Sequence, residues 1–446
     1  MVMPDPDTVP DGWRLTTLGA LGRYINGRAF KSSEWSSTGR PIIRIQDLTG
    51  SNRNPHFFDG AVEKRYMVRK GDLLVSWSAT LGAYIWDGPE AVLNQHIFKV
   101  ESSIDKRLHY HLIRKCLTEL YQNAHGSGMV HVTKGLFDDL PVKIPADLSV
   151  QAVLAAILDK AEKKRSISSE HLAVARKSVE QLRQAILMAA CSGRLTADWR
   201  AEHPEVPDSR EALAGLASTR PRRARDELPL DLALPDLPPS YFVATIGDVA
   251  TAIDYGTNQR CDAQADAGVP VLRMGNIQDG ELDLSDLRYC AIDAEIERLL
   301  LANGDLLFNR TNSPELVGKT AVFHGSQPTS FASYLIRVRF APELVHPEFV
   351  NYWLNSAWGR LWAYRAKTDG VSQSNINSSK LALMAVPLPP VAEQLVIVER
   401  TSATLTAADH LLHLIEDASR ASDRTFRAVL AQAFNGRLTS RIKDEE

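Results

Sequence analysis

Two long stretches of the chain carry apolar residues at a seven-residue repeat. In residues 151–190 one set is Gln151, Leu158, Arg165, Leu172, Val179 and Ile186. Its companion is Leu154, Ala161, Ser168, Ala175, Leu182 and Ala189. Near the end of the chain Val398, Leu405, Leu412, Ser419, Phe426 and Ala433 run beside Thr401, Ala408, Ile415, Ser422 and Val429. Such a narrow stripe is the a/d seam of a coiled coil, and neither stretch contains proline or glycine. Each predicts a helix about 60 Å long at 1.5 Å per residue. Both seams break at polar residues, Arg165 with Ser168 and Ser419 with Ser422. A long helix with one thin apolar stripe is unstable alone in water, and the matched seams predict that the two pair. Each stretch ends in GRLT, where Gly193 and Gly436 suit a positive-φ helix cap and Leu195 and Leu438 its apolar contact. Arg194 and Arg437 suit the negative end of the helix dipole.

The remaining pattern is short strands and turns, and it too is written twice. PDGWRLTTLGAL (10–21) answers PPSYFVATIGDV (238–249), and PIIRIQDLTG (41–50) answers VPVLRMGNIQDG (269–280). KGDLLVSWSAT (70–80) answers NGDLLFNRTNS (303–313). A proline-bounded apolar strand precedes each helix, LPVKIPADL (140–148) and MAVPLPPVAEQ (384–394). Order is kept while the offset drifts from 228 to 243 residues, as duplication with loop insertions requires. The expected class is α+β: two mixed α/β domains separated by two long antiparallel coiled-coil helices, in a pseudo-two-fold internal repeat. The boundaries read 1–146 for the first domain, 147–192 for its helix, 193–240 for a linker, 241–390 for the second domain and 391–446 for the second helix and tail. Within the linker, residues 200–240 have seven prolines and no aromatic residue. Its cluster Arg220, Arg222, Arg223 and Arg225 reads as a solvated face, and residues 208–218 as a short helix.

Composition narrows the chemistry. Net charge is −3, so the molecule is no polycation, yet residues 12–145 hold 18 Lys/Arg against 12 Asp/Glu. Four scattered cysteines form no zinc pattern and read as reduced thiols. No signal peptide opens the chain and no apolar run is long enough for a membrane helix, which points to the cytoplasm. Nucleotide loops, GxGxxG, HExxH and GxSxG are missing from the sequence, and NSPE (312–315) lacks the second proline and the aromatic of a methyltransferase NPPY loop. His109 and His111 are weak metal ligands with no carboxylate or cysteine cluster beside them, and Asp138 and Asp139 read as capping residues. The expectation is a binding protein without catalysis.

Residue types that read base edges and phosphates gather in the predicted loops. In the first half these are Arg44, Gln46, Ser76, Asn94, Ser127 and Lys134. In the second they are Arg273, Asn276, Arg310, Asn312, Lys319, Lys367, Gln373, Asn375 and Lys380. KTDGVSQSNINSSK (367–380) has eight Ser, Asn, Gln or Thr residues and two lysines in fourteen. It reads as a contact surface or a plain polar loop. For the helix seam the residues are Leu158, Leu172, Val179, Leu182, Ile186, Val398, Leu405, Leu412, Ile415, Phe426 and Val429.

With the duplication, the PDGW and PPSY openings, paired GDLL, NRTNSPELVGKTAVF (309–323) and two helices ending in GRLT, the chain resembles the specificity subunit of type I restriction–modification systems over essentially its whole length. It departs at LSVQ against VAEQ, and at Tyr241-Phe242 where the first opening has Gly-Trp. The resemblance implies two target recognition domains, each reading one half of a bipartite, asymmetric site in double-stranded DNA. The helices would be a ruler for the gap. It also implies two modification subunits and further restriction subunits as partners. Those would bind S-adenosylmethionine, ATP and magnesium, with no cofactor, metal or membrane contact in this chain. The competing expectations are a coiled-coil scaffold indifferent to DNA sequence and a diverged DNA methyltransferase.

Overall fold

The computed structural model describes residues 9–51, 54–77, 80–123, 134–206, 234–262, 268–371 and 373–438. It divides into two compact units, residues 1–173 with 416–446, and residues 174–415. The linker cluster Arg220–Arg225 and the expected short helix at 208–218 lie outside the described residues.

Each unit is built on the same plan. In the first, an antiparallel sheet has the order Gly22–Asn26, Ile97–Ser102, Leu73–Ser76, Gly82–Ile85. In the second the order is Ala250–Tyr255, Leu335–Phe340, Leu306–Asn309, Thr320–Val322. The GDLL motif supplies the same strand in both. All four residues of Leu73–Ser76 and of Leu306–Asn309 are buried. A strand covered on both faces reads as a continuous apolar run, which is why the motif does not alternate. The glycine ahead of each strand has positive φ, +86° at Gly71 and +90° at Gly304. The aspartate that follows closes the turn by accepting from the backbone N–H of Arg69 or of Ala302, at 2.9 Å in both.

A second sheet in each unit holds a parallel pair, Arg40–Ile43 with Ala91–Leu93 and Val269–Leu272 with Ser330–Phe331. A third pairs the opening strand with the last, Trp13–Thr17 with Pro141–Pro145 and Phe242–Thr245 with Ala385–Leu388. The second unit also holds a small sheet of Thr311–Asn312, Ser374–Asn375 and Thr368–Asp369.

The long helices run Leu148–Cys191 and Val391–Phe434. A buried glutamine in the first turn of each fastens it to its domain. Gln151 accepts from the N–H of Asp105 and donates to Pro145 O. Gln394 accepts from the N–H of His346 and donates to Leu344 O and Pro389 O. Within the first unit Arg165 bonds Asp423 at 3.2 Å, and Leu154, Leu158, Phe426 and Leu430 share one core. Within the second, Arg183 bonds Asp409 and Arg400 bonds Asp198. Going forward along the first helix thus meets earlier residues of the second, the antiparallel order.

The predicted seam holds at Leu158, Val179, Ile186 and Phe426, which are buried, and at Leu172, Val398, Leu405, Leu412, Ile415 and Val429, which are half-buried. Leu182 is a correction: it is 45% exposed. A 3.6-residue turn drifts against a seven-residue repeat, and Arg183, reaching Asp409, stands on the inner face at that turn instead. Residues 166–171 are all exposed, so the polar break at Ser168 is real; Ser419 opposite is exposed as well.

The two GRLT turns follow the cap rule. Gly193 and Gly436 have φ of +75° and +74°. The N–H of Leu195 closes back on Ala189 O at 3.1 Å, and Leu195 and Leu438 pack on their units' cores. The helix-end carbonyl of Gly193 is met by Arg200, 2.7 Å away, while Arg194 turns to Ser192. Each glycine also faces the opening proline of a domain. An added Cβ would lie 2.7 Å from Pro238 at Gly193 and 2.5 Å from Pro10 at Gly436. Gly193→Ala and Gly436→Ala should therefore each cost about 2 kcal/mol, the left-handed backbone and the contact adding. Denaturant unfolding checks this, and a cost near zero would mean the turns tolerate a side chain.

Candidate nucleic-acid interface

One end of the four-stranded sheet carries polar and aromatic side chains in both units, and register makes the positions equivalent. Asn26 stands opposite Phe98 as Tyr255 stands opposite Ile336. The N–H of Trp77 donates to His96 O at 3.4 Å, as that of Arg310 donates to Tyr334 O at 3.0 Å. Beyond Asn26 and Tyr255 the chain passes through Gly27 and Gly256, whose N–H groups donate to Ile97 O and Leu335 O. A Cβ at Gly27 would lie 2.1 Å from Asn94 O, and one at Gly256 2.3 Å from Phe331 O. Both glycines are required by this close backbone approach.

In the second unit this end is a connected cluster. The Arg310 guanidinium lies over Tyr255 at 4.8 Å and donates to Ser333 O at 3.2 Å and Asn375 Oδ1 at 3.3 Å. Asn375 Nδ2 donates to Thr311 Oγ1 at 2.7 Å, and the hydroxyl of Tyr255 accepts from the N–H of Ser378. Tyr255, Tyr334 and Gln373 are exposed. The sequence stretches 309–320 and 367–380 thus meet through Arg310, Thr311 and Asn375.

In the first unit the equivalent end holds Asn26, Trp77, Gln95 and His96. Trp77 Nε1 donates to Asn26 Oδ1 at 3.3 Å, and its ring leans on His96 and stacks on Phe98. Asn94 is half-buried and bridges Arg28 in parallel register. Nearby Trp35 is 42% exposed and stacked on His56 at 3.8 Å, with Arg44 above it at 5.7 Å. Burial and the Arg44 charge hold the His56 imidazole below its ordinary range. Gln46 is exposed on the short helix that Arg44 begins. Sequence reading missed Trp35, Tyr255 and Tyr334. A tryptophan isolated in the polar run SSEWSS was the available signal for the first.

Several expected contact residues are placed otherwise. Ser76 is fully buried, its hydroxyl donating to Thr80 O. Asn276 is buried as well: its Oδ1 accepts from the Arg273 N–H at 2.8 Å, the capping position that Asp47 fills below Arg44. Arg273 itself is half-buried and pairs with Asp286 at 2.9 Å. The Lys367 side chain is 7% exposed and paired with Asp369, and Lys380 Nζ donates to Ala366 O and Thr368 Oγ1. Both lysines brace the small sheet. Asn312 accepts from the N–H of Ser313, and Lys319 donates to Gln278 Oε1 at 3.2 Å. Ser127 and the Lys134 side chain lie outside the described residues.

Neither histidine raised as a metal ligand stands free. His109 is buried between Tyr24 and Ser102, and His111 bonds Asp159. Among the described residues no group of three or more His, Cys, Asp or Glu could hold a metal, and no helix is long and apolar enough to cross a membrane. The second unit has a cleft of about 680 Å³ lined in part by His324, whose Nε2 bonds Glu348 and whose Nδ1 lies 3.4 Å from Asn303 Oδ1.

Comparison with known proteins agrees with this construction. The family described as type I restriction modification DNA specificity domain matches residues 10–174. The specificity subunit of the type I restriction enzyme EcoBI of Escherichia coli is 26% identical over 445 residues, covering 98% of this chain and 89% of that protein. That of EcoKI from Escherichia coli strain K12 is 24% identical over 475 residues, covering 98% and 91%. A chain solved in work on complex assembly and conformational transition of the type I restriction–modification system shares the fold. Its TM-score is 0.63 at 17% identity, over 96% of this chain and 99% of that one. Residues 10–174 thus match the type I DNA specificity domain, and nearly the whole chain is similar to type I restriction–modification specificity subunits, in sequence to those of EcoBI and EcoKI and in fold to the solved chain.

Proposed function

We propose that this chain is the DNA-reading subunit of a type I restriction–modification complex, each unit reading one half of a split, asymmetric site. The observation that carries this is the register-equivalent sheet end. The same backbone position is presented twice with different side chains, Asn26, Trp77 and His96 in one unit and Tyr255, Arg310 and Tyr334 in the other. Two copies of one scaffold with different base-facing chemistry suit a two-part asymmetric site. Arg44, Gln46, Asn94, Gln373 and Asn375 are proposed contacts around those ends.

The chain itself performs no bond-making step. Methyl transfer, translocation and cleavage belong to two modification subunits and to restriction subunits in the cytoplasm. Those partners bind S-adenosylmethionine, ATP and magnesium. The paired helices act as the ruler for the unread gap. Deleting one heptad from each shortens a helix by about 10 Å, roughly three base pairs of duplex. The test is an adenine-methylation map of cells carrying this gene with its neighbouring methyltransferase gene, compared with a deletion of this gene. Loss of one split motif supports the reading, and the heptad-deleted chain should give the same half-sites with a gap shorter by about three, or no methylation. An unchanged gap rejects the ruler. Survival of every motif in the deletion favours a scaffold indifferent to sequence.

A further inference from the structure

We infer that Arg310 is a specificity-determining residue that selects a guanine in the half-site of the second unit, and that the matching position in the first unit, Trp77, makes that selection impossible there. The inference rests on the DNA-reading function proposed above.

Arg310 is held from three sides. Its guanidinium lies on the face of Tyr255, Nη1 is fixed by Ser333 O and Nη2 by Asn375 Oδ1. Asn375 is in turn anchored through Thr311. Each Nη carries two protons, so one on each nitrogen remains beyond these bonds. Two donors in the plane of a guanidinium already held in place can meet O6 and N7 of guanine in the major groove, a pairing that arginine makes well. The surrounding exposed Tyr255, Tyr334 and Gln373 keep this end of the sheet open. A guanidinium positioned before contact loses little side-chain freedom on binding.

The first unit has the same backbone and different chemistry. Trp77 has a single donor, Nε1–H, and it goes to Asn26 Oδ1. An indole can offer a base only its apolar edge, which suits a thymine methyl rather than guanine. One difference between the half-sites therefore sits at this structural position, after the GDLL strand.

The experiment is methylation mapping with the full chain and its methyltransferase, comparing wild type with Arg310→Ala, Arg310→Lys and Trp77→Ala. In wild type one half-site contains a guanine. Arg310→Ala should relax preference for that guanine by about 10- to 100-fold, with the other half-site and the gap unchanged. Trp77→Ala should relax only the opposite half-site. A structural role would weaken all sites alike and leave base preference fixed. If Arg310→Ala abolishes methylation, Arg310→Lys decides. Relaxation at that one position supports the inference; the wild-type motif, or renewed loss of all methylation, overturns it. Relaxation in both half-sites also overturns it. A wild-type map with no split motif defeats the underlying reading instead.

Discussion

Replacing Glu393 by alanine should lower the unfolding midpoint of the second unit by roughly 6–12 °C, from a loss of about 3 kcal/mol. Glu393 is fully buried in the first turn of the second long helix. One oxygen, Oε1, accepts from Thr196 Oγ1 at 2.6 Å, from the Tyr241 hydroxyl at 2.9 Å and from Arg200. Arg200 also holds the carbonyl of Gly193, where the first GRLT turn begins. A single carboxylate thus joins the end of the first helix, the opening of the second domain and the start of the second helix. Removing it leaves a tyrosine hydroxyl and a largely covered guanidinium without their acceptor, and the unmet partners dominate the cost. Glu393→Gln keeps an acceptor of the same shape but loses the charge, so it should cost less than half as much. Calorimetry of the full chain reads both. A double-mutant cycle with Arg200→Met should show coupling above about 1 kcal/mol, and additive losses would dissolve the proposed junction.

How far the sequence could be read depended on the length scale of the signal. The helices were legible because the seam repeats many times and each helix ends in glycine. The duplicated domains were legible because GDLL and the proline-bounded strands recur in order. Leu182 was misplaced because a strict heptad ignores helical drift. At the contact surface the limit is different. Ser76, Asn276, Lys367 and Lys380 have the chemistry of base and phosphate readers, but the domain uses it to close its own turns and brace its small sheet. A polar side chain in a loop sequence does not declare whether its partner is backbone or solvent. Arg310 and Asn375 lie 65 residues apart, and only pairing of Thr311 with Asn375 across the small sheet makes them neighbours. Gln151 and Gln394 show the converse. Their shared place in the repeat was visible, while their task of fastening helix to domain needed the fold.

Lowering the pH from about 6.5 to about 4 should remove about 3 kcal/mol of stability from the first unit through His109 alone. The imidazole is buried, with Nε2 2.8 Å from the Tyr24 hydroxyl and Nδ1 2.8 Å from Ser102 Oγ. The Tyr24 hydroxyl also reaches Leu18 O and the Ser102 hydroxyl also reaches Ile104 O, so one donor and one acceptor role are open to the neutral ring. Burial pushes the His109 pKa down to about 4. The unfolded chain takes up a proton near pH 6.5, while the folded chain resists until about pH 4. Between those values unfolding binds protons, so this contribution is complete above pH 6.5, falls as pH falls, and is gone below about 4. His111 adds to the same trend: burial holds it low, against the opposing pull of Asp159. His109→Gln should be less stable at pH 7.5 but lose less on acidification. The check is histidine-labelled NMR of the full chain beside denaturant unfolding at pH 7.5 and 5. The resonance that disappears in the variant should stay flat from pH 7.5 to 5; a midpoint near 6.5 would show that the imidazole reaches water and carries no such linkage.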